Sequence, residues 1–268
     1  MQLSEALALT HDSRWAGTKD EEKTFQRASK VVEILCDPKV AEVYADTGDT
    51  LAAILRGQGM APSTINRYLA TLRAMMRTAV KRRAIDHAPR FDAQREPEGR
   101  SRWLTTTEES ELFNHLPPHL EKLSIFLVDT GCREGEALKL RWEDIHPDAV
   151  MLRNTKTAKP RRVPMTTRVR HVIAGLRTEE LGPFTALSGN QLQAAFRKAK
   201  EATPWARNDP EIVPHILRHT CASRLVGQGV DIYVVQKWLG HASIKTTERY
   251  AHLRPEALDA AVKALESA

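Results

Sequence analysis

The chain has 268 residues, 41% of them hydrophobic, and a formal net charge of +6. That is enough apolar content for a packed core, which excludes a disordered tail, and the apolar runs are too short to span a bilayer. Three cysteines (Cys36, Cys132 and Cys221) without a Cys-x-x-Cys pair exclude a disulfide scaffold and fit a reducing cytosol.

The opening residues, MQLSEALALTHDSR, have neither the basic nor the apolar region of a secretory signal, so a cytoplasmic location is expected. Apolar residues at helical spacing predict a helix over 20–36, and a second over about 48–58 is stopped by Gly57 and Gly59. In the segment that follows, Ile65, Leu69, Leu72, Met76 and Val80 form one apolar stripe. Arg73, Arg77 and Lys81 form a basic stripe beside it, with Arg67 six residues earlier. No acid occurs from Thr50 to Ile85, which suits contact with a polyanion. The polar, Pro- and Gly-containing stretch that follows reads as a linker, dividing the chain into 1–88, 89–102 and 103–268.

Beyond the linker, WLTTTEESELFNHL reads as a capped helix and EKLSIFLVDTG as a buried one ending at Gly131. Alternating apolar residues between Trp142 and Met165 predict a short antiparallel sheet turning near Ala158 and Lys159. A second acid-free tract, Ala149 to Thr178, carries Arg153, Lys156, Lys159, Arg161, Arg162, Arg168, Arg170 and Arg177. The remainder reads as helices, so the expected fold is mainly α with one small sheet. In the tail, Leu258, Ala261, Val262 and Leu265 share one helical face that needs cover, either on its own domain or on a neighbouring protomer.

The chemistry-bearing residues lie in four segments. TGCREGE gives Arg133 and Glu136, NTKTAKPRR gives Lys156, HILRHT gives His215 and Arg218, and LGHASIKTTERY gives His241 and Tyr250. A phenol with a pKa of about 10 is a poor nucleophile unless other groups supply positive charge and proton transfer. Two arginines can clamp the oxygens of an attacked phosphodiester without a metal. A lysine can protonate the leaving oxygen, and histidines can take the phenol proton or bond the phosphate. His215 and His219 have the spacing of a helical zinc pair, but Ile216 stands where a zinc hydrolase needs glutamate, so no metal is expected.

In this order the motifs resemble the tyrosine recombinases, also called the phage integrase family, over about residues 20–255. The resemblance implies a helical core-binding domain and a mixed α/β catalytic domain that together clamp duplex DNA. It assigns Arg133 and Arg218 to the phosphate, Lys156 to the leaving group and His215 to acid–base work. It assigns His241 to a phosphate hydrogen bond, Tyr250 to attack, and Glu136 to support of the first arginine. Arg67, Arg73, Arg77, Lys81, Lys159 and Arg161 are candidate DNA contacts. Many phage integrases carry an arm-binding domain ahead of the core-binding unit, and this sequence starts at that unit. The implied enzyme is a DNA integrase of a phage or mobile element. It would use no cofactor and would act at the nucleoid as a homotetramer on paired sites, with accessory DNA-bending or directionality factors. Type IB topoisomerase activity and non-catalytic DNA binding are the rival readings.

Overall fold

The structure, a computed structural model, describes residues 1–96, 102–153, 160–176, 180–254 and 265–266. It forms two compact units, Met1–Gly99 and Arg100–Ala268. As expected, it is mainly helical, with one two-stranded antiparallel sheet among the described residues.

The first unit contains α1 (Leu3–Thr10), α2 (Glu21–Ile34), α3 (Ala45–Gly57) and α4 (Pro62–Lys81). Helix α1 had no counterpart in the sequence reading. It starts where the Gln2 backbone N–H donates to Glu5 Oε2 at 2.9 Å, and it buries Leu3, Ala6 and Leu7. Pro62 opens α4, and its stripe Ile65, Leu69, Leu72 and Met76 is buried, with Met75 beside it. The expected linker begins as part of this unit. Phe91 is buried in its core, and Gln94 exchanges backbone hydrogen bonds of 2.7 and 2.9 Å with the Asn66 amide on α4.

The second unit contains α5 (Thr106–Phe113), α6 (Pro118–Thr130), α7 (Glu134–Ala137), β1 (Ala149–Leu152), β2 (Arg161–Pro164), α8 (Thr167–Ala174), α9 (Gly189–Ala202), α10 (Ile216–Gly227), α11 (Ile232–Leu239) and α12 (Lys245–Glu248). Thr105 caps α5 by accepting from the Glu108 N–H at 3.2 Å, while Glu108 accepts from the Thr105 N–H at 2.8 Å. In the sheet, Val150 pairs with Val163 and Leu152 with Arg161. The period of two then places Arg161 and Val163 on the buried face and Arg162 on the exposed one. The core gathers Phe126, Phe184, Phe196, Leu123 and Leu217 where α6 packs on α10.

The second acid-free tract does not make an acid-free surface. Arg153 pairs with Asp144 at 2.6 Å, Arg162 with Asp148, and Arg168 with both Glu109 at 2.6 Å and Asp129. Arg224 of α10 also reaches Glu109, at 2.7 Å, so this buried carboxylate ties α5, α8 and α10 together. By contrast Arg67, Arg77 and Lys81 on α4 are exposed, with no carboxylate within ion-pair distance among the described residues. Arg73 is half-buried and donates to the Phe91 carbonyl at 2.7 Å. Lys156 and Lys159, Arg177 and the tail from 255 to 264 lie outside the described residues. Among the described residues, no helix is long and apolar enough to cross a membrane.

Phe126 is fully buried, with its ring 5.1 Å from that of Phe184. Phe126→Ala is expected to destabilise the second unit by about 3–5 kcal/mol, the usual cost of emptying an aromatic core position. Urea unfolding followed by tryptophan fluorescence checks this, since four of the five tryptophans (Trp103, Trp142, Trp205 and Trp238) belong to that unit.

Candidate active site

Helix α6 ends at Gly131, whose φ of +61° is left-handed backbone that glycine adopts without strain. A Cβ there would lie 2.7 Å from Leu239 Cδ2 and 2.8 Å from Cys221 Sγ, so a larger residue would have to displace both side chains as well as strain the backbone. The turn delivers Arg133 to the start of α7. Glu136, one turn on, accepts from the Arg133 backbone N–H at 2.9 Å and from its Nη1 at 3.1 Å. The same carboxylate accepts from Arg161 Nη1 at 3.2 Å and Nη2 at 2.7 Å. Burial pushes the Glu136 carboxyl up, but the hydrogen bonds from Arg161 and the Arg133 N–H outweigh it and hold the group below the ordinary range.

Arg161 was expected on the DNA. The structure corrects this: its residue is 9% exposed, its fork is taken by Glu136, and its Nε donates to the Trp238 carbonyl at 2.9 Å. It braces α7 against α11. The glycine of the Leu-Gly-His motif follows from the same packing. Gly240 has a φ of +67°, and a Cβ on it would stand 2.8 Å from Arg161 Nη1.

Arg218 on α10 is 4% exposed and has no carboxylate in its hydrogen bonds. It donates to the Gly131 carbonyl at 2.5 Å and the Leu239 carbonyl at 2.7 Å. These carbonyls end α6 and α11, where helix dipoles favour a cation. Burial, then the Arg133 and Arg161 charges, pull the guanidinium down to about 10, still protonated at neutral pH.

Three histidines stand around this cluster. His215 stands at the N-cap position of α10 without a side-chain capping bond and keeps an exposed edge. Burial of the rest of its ring, followed by Arg218, Arg133 and Arg249, lowers its basicity. His241 bonds Thr247 Oγ1 through Nδ1 at 2.9 Å, and burial with Arg218, Arg133 and Arg161 pulls it down to about 3. Thr247 is fully buried, so the second threonine of the TTERY segment serves to orient His241.

Sequence reasoning gave His219 no catalytic role. It lies one turn beyond His215, with ring centroids 4.9 Å apart and the planes edge to face. Its Nδ1 contacts the Tyr250 hydroxyl directly. Burial, then His215, Arg249 and Arg218, pull His219 down to about 4. The only sequence signal was its spacing of four from His215, which reads first as a metal pair. Tyr250 is 2% exposed, with the Arg249 guanidinium 5.9 Å from its ring centroid, and burial raises its phenol pKa despite that charge and Arg218.

The structure thus gathers Arg133, Glu136, His215, Arg218, His241 and Tyr250 in one unit, and adds Arg161 and His219. A cavity of about 210 Å³ opens beside Arg218 and His215. A larger cleft of about 560 Å³ in the same unit is walled by Glu108, Asp209 and Glu211, and its one lining cation, Arg102, is already paired with Glu108 and Asp209. Cys132 and Cys221 line the core next to the site. Burial pushes both thiols up to about 12, which leaves them inert as nucleophiles.

The chain is similar to known proteins in sequence and in fold. The integrase of Escherichia phage P2 is 28% identical over 264 residues, covering 97% of this chain and 76% of that protein. Two solved structures share the fold at 18% identity. The Tn1549 transposon integrase in complex with circular intermediate DNA superposes with a TM-score of 0.79, covering 99% of both chains. A lambda integrase tetramer bound to a Holliday junction superposes with a TM-score of 0.73, covering 91% of this chain and 78% of that one. Residues 102–257, more than half the chain, match the model of the Phage integrase family, and the chain belongs to that family.

Proposed function

We propose that the protein is a site-specific DNA recombinase that cleaves and rejoins strands through Tyr250. The observation that carries this is the convergence of two arginines, three neutral histidines and a tyrosine whose hydroxyl meets one of them. Arg133, Arg161 and Arg218 bring three positive charges against the single Glu136 carboxylate that bonds two of them. One phosphodiester anion offsets part of that surplus. The Arg133 side chain is 40% exposed and free to meet it. Arg133 and Arg218 then stabilise the charge that grows on the non-bridging oxygens, which accounts for catalysis without a metal.

Attack by the Tyr250 oxygen on the scissile phosphorus forms a 3′-phosphotyrosyl link and releases a 5′-hydroxyl. A 5′-hydroxyl from a second duplex attacks that link and makes a Holliday junction. Each step exchanges one phosphate ester for another, so no ATP is required. His241, held by Thr247, bonds the phosphate. Lys156, on the segment between the two strands, protonates the leaving oxygen. The exposed cations of α4 (Arg67, Arg77 and Lys81) contact the DNA backbone. The reaction needs paired sites, and the fold shared with the lambda integrase tetramer supports a homotetramer as the working assembly. The enzyme would serve a phage or mobile element and act on DNA at the nucleoid. Accessory proteins that bend the DNA would set its direction.

Wild-type protein incubated with sheared genomic DNA of the source cells, then denatured, should retain covalently bound DNA whose sequencing gives the target site. Tyr250→Phe should bind the same DNA and retain none; an adduct of undiminished yield in that variant would contradict the assignment. Each of Arg67→Ala, Arg77→Ala and Lys81→Ala should reduce the slope of log affinity against log salt by about 0.9, one phosphate contact. Arg161→Ala should leave the slope unchanged and lower stability instead. Lys156→Ala should cleave ordinary DNA slowly but cleave a 5′-bridging phosphorothiolate much faster. The reason is that a thiol of pKa about 8.5 leaves without a proton, whereas an alcohol does not. Lys159→Ala is the control, and rescue of that variant alone would transfer the role to Lys159.

A further inference from the structure

Resting on the recombinase reading, we infer that His219 is the base that takes the phenolic proton from Tyr250 during attack and returns it during rejoining. The geometry separates the three histidines. His219 Nδ1 meets the Tyr250 hydroxyl, whereas Nδ1 of His241 is committed to Thr247. His215 stacks edge to face on His219 rather than on the phenol, and the His219 and Tyr250 ring centroids are 5.9 Å apart. His219 is therefore the imidazole placed on the reacting oxygen.

The step balances. With its own proton on Nε2, neutral His219 accepts the Tyr250 proton on Nδ1 as the phenolic oxygen bonds to phosphorus. The bond from phosphorus to the 5′-oxygen breaks, and that oxygen is protonated separately by the leaving-group acid. The resulting imidazolium gives its proton back when a 5′-hydroxyl attacks and the phenolate departs. The surroundings suit this cycle. Burial, then His215 and Arg218 on α10 and Arg249 beside Tyr250, keep His219 unprotonated in the free protein. An entering phosphodiester offsets the arginine charge and makes the imidazole more basic just when a base is needed. Glu136, already shared by Arg133 and Arg161, is committed and does not compete for the proton.

The test uses the full chain and a nicked duplex carrying the site recovered in the adduct experiment. The readout is the rate of covalent adduct formation in His219→Ala, His219→Asn and His215→Ala. General-base loss costs about 10²–10⁴-fold, so His219→Ala should be slower by that factor with DNA binding retained. Added imidazoles should restore its rate in proportion to their basicity, a response that a purely structural role would not give. His219→Asn keeps a short hydrogen-bond acceptor but holds no proton, so it should remain slow; it also serves as the second variant should His219→Ala fail to fold. A rate in His219→Asn within about threefold of wild type overturns the inference. So does rescue of His219→Ala that is absent or flat in basicity, or a basicity-dependent rescue confined to His215→Ala. If the wild-type protein forms no adduct that depends on Tyr250, the recombinase reading itself fails.

Discussion

The site rests on one carboxylate. Glu136 Oε1 accepts from both Arg133 Nη1 and Arg161 Nη1, and Oε2 accepts from Arg161 Nη2 and the Arg133 backbone. Two unit charges about 4 Å apart at an effective dielectric of 20 repel by about 4 kcal/mol, and a carboxylate bonded to both offsets this. With Glu136 in place, α7, β2 and α11 are locked together. Gly240 must then be a glycine because Arg161 fills the space its Cβ would occupy. Removing Glu136 would leave a buried guanidinium without its counter-charge, the costly way to break such a pair.

Arg218 is held by a different device. It sits on the carbonyl ends of two helices, with dipoles rather than a carboxylate as partners. Its positive charge is therefore fixed in place without being cancelled. The histidines follow from this. Partial burial, and the charge of Arg218 that acts on all three, depress His215, His219 and His241 in basicity, so the site carries permanent cations beside neutral imidazoles. That division separates charge stabilisation from proton transfer, the two demands of a phenol attacking a phosphodiester.

Much of this was legible in the sequence because it depends on local periodicity and local caps. The spacing of Ile65, Leu69, Leu72 and Met76 gave α4, Thr105 with Glu108 gave the start of α5, and Gly131 gave the end of α6. The ordered motifs named the family, since residue type and order survive where overall identity is low. What remained hidden depends on contacts distant in sequence. Arg161 lies in a basic run, but strand alternation turns it inward onto Glu136, 25 positions earlier. The acids that neutralise Arg153, Arg162 and Arg168 lie outside the acid-free tract, so charge read along the chain overstates the positive surface. Phe91 sits in a polar stretch that reads as linker and is nevertheless a core residue of the first unit. His219 was overlooked because its meaning depends on Tyr250, 31 positions away.

The central claim is that Tyr250 carries the covalent bond to DNA. The most direct measurement is to trap the adduct, digest it with nuclease and trypsin, and locate the residual nucleotide by tandem mass spectrometry. The nucleotide is expected on Tyr250, joined through a 3′-phosphate. A nucleotide on any other residue, or one joined through a 5′-phosphate, would contradict it.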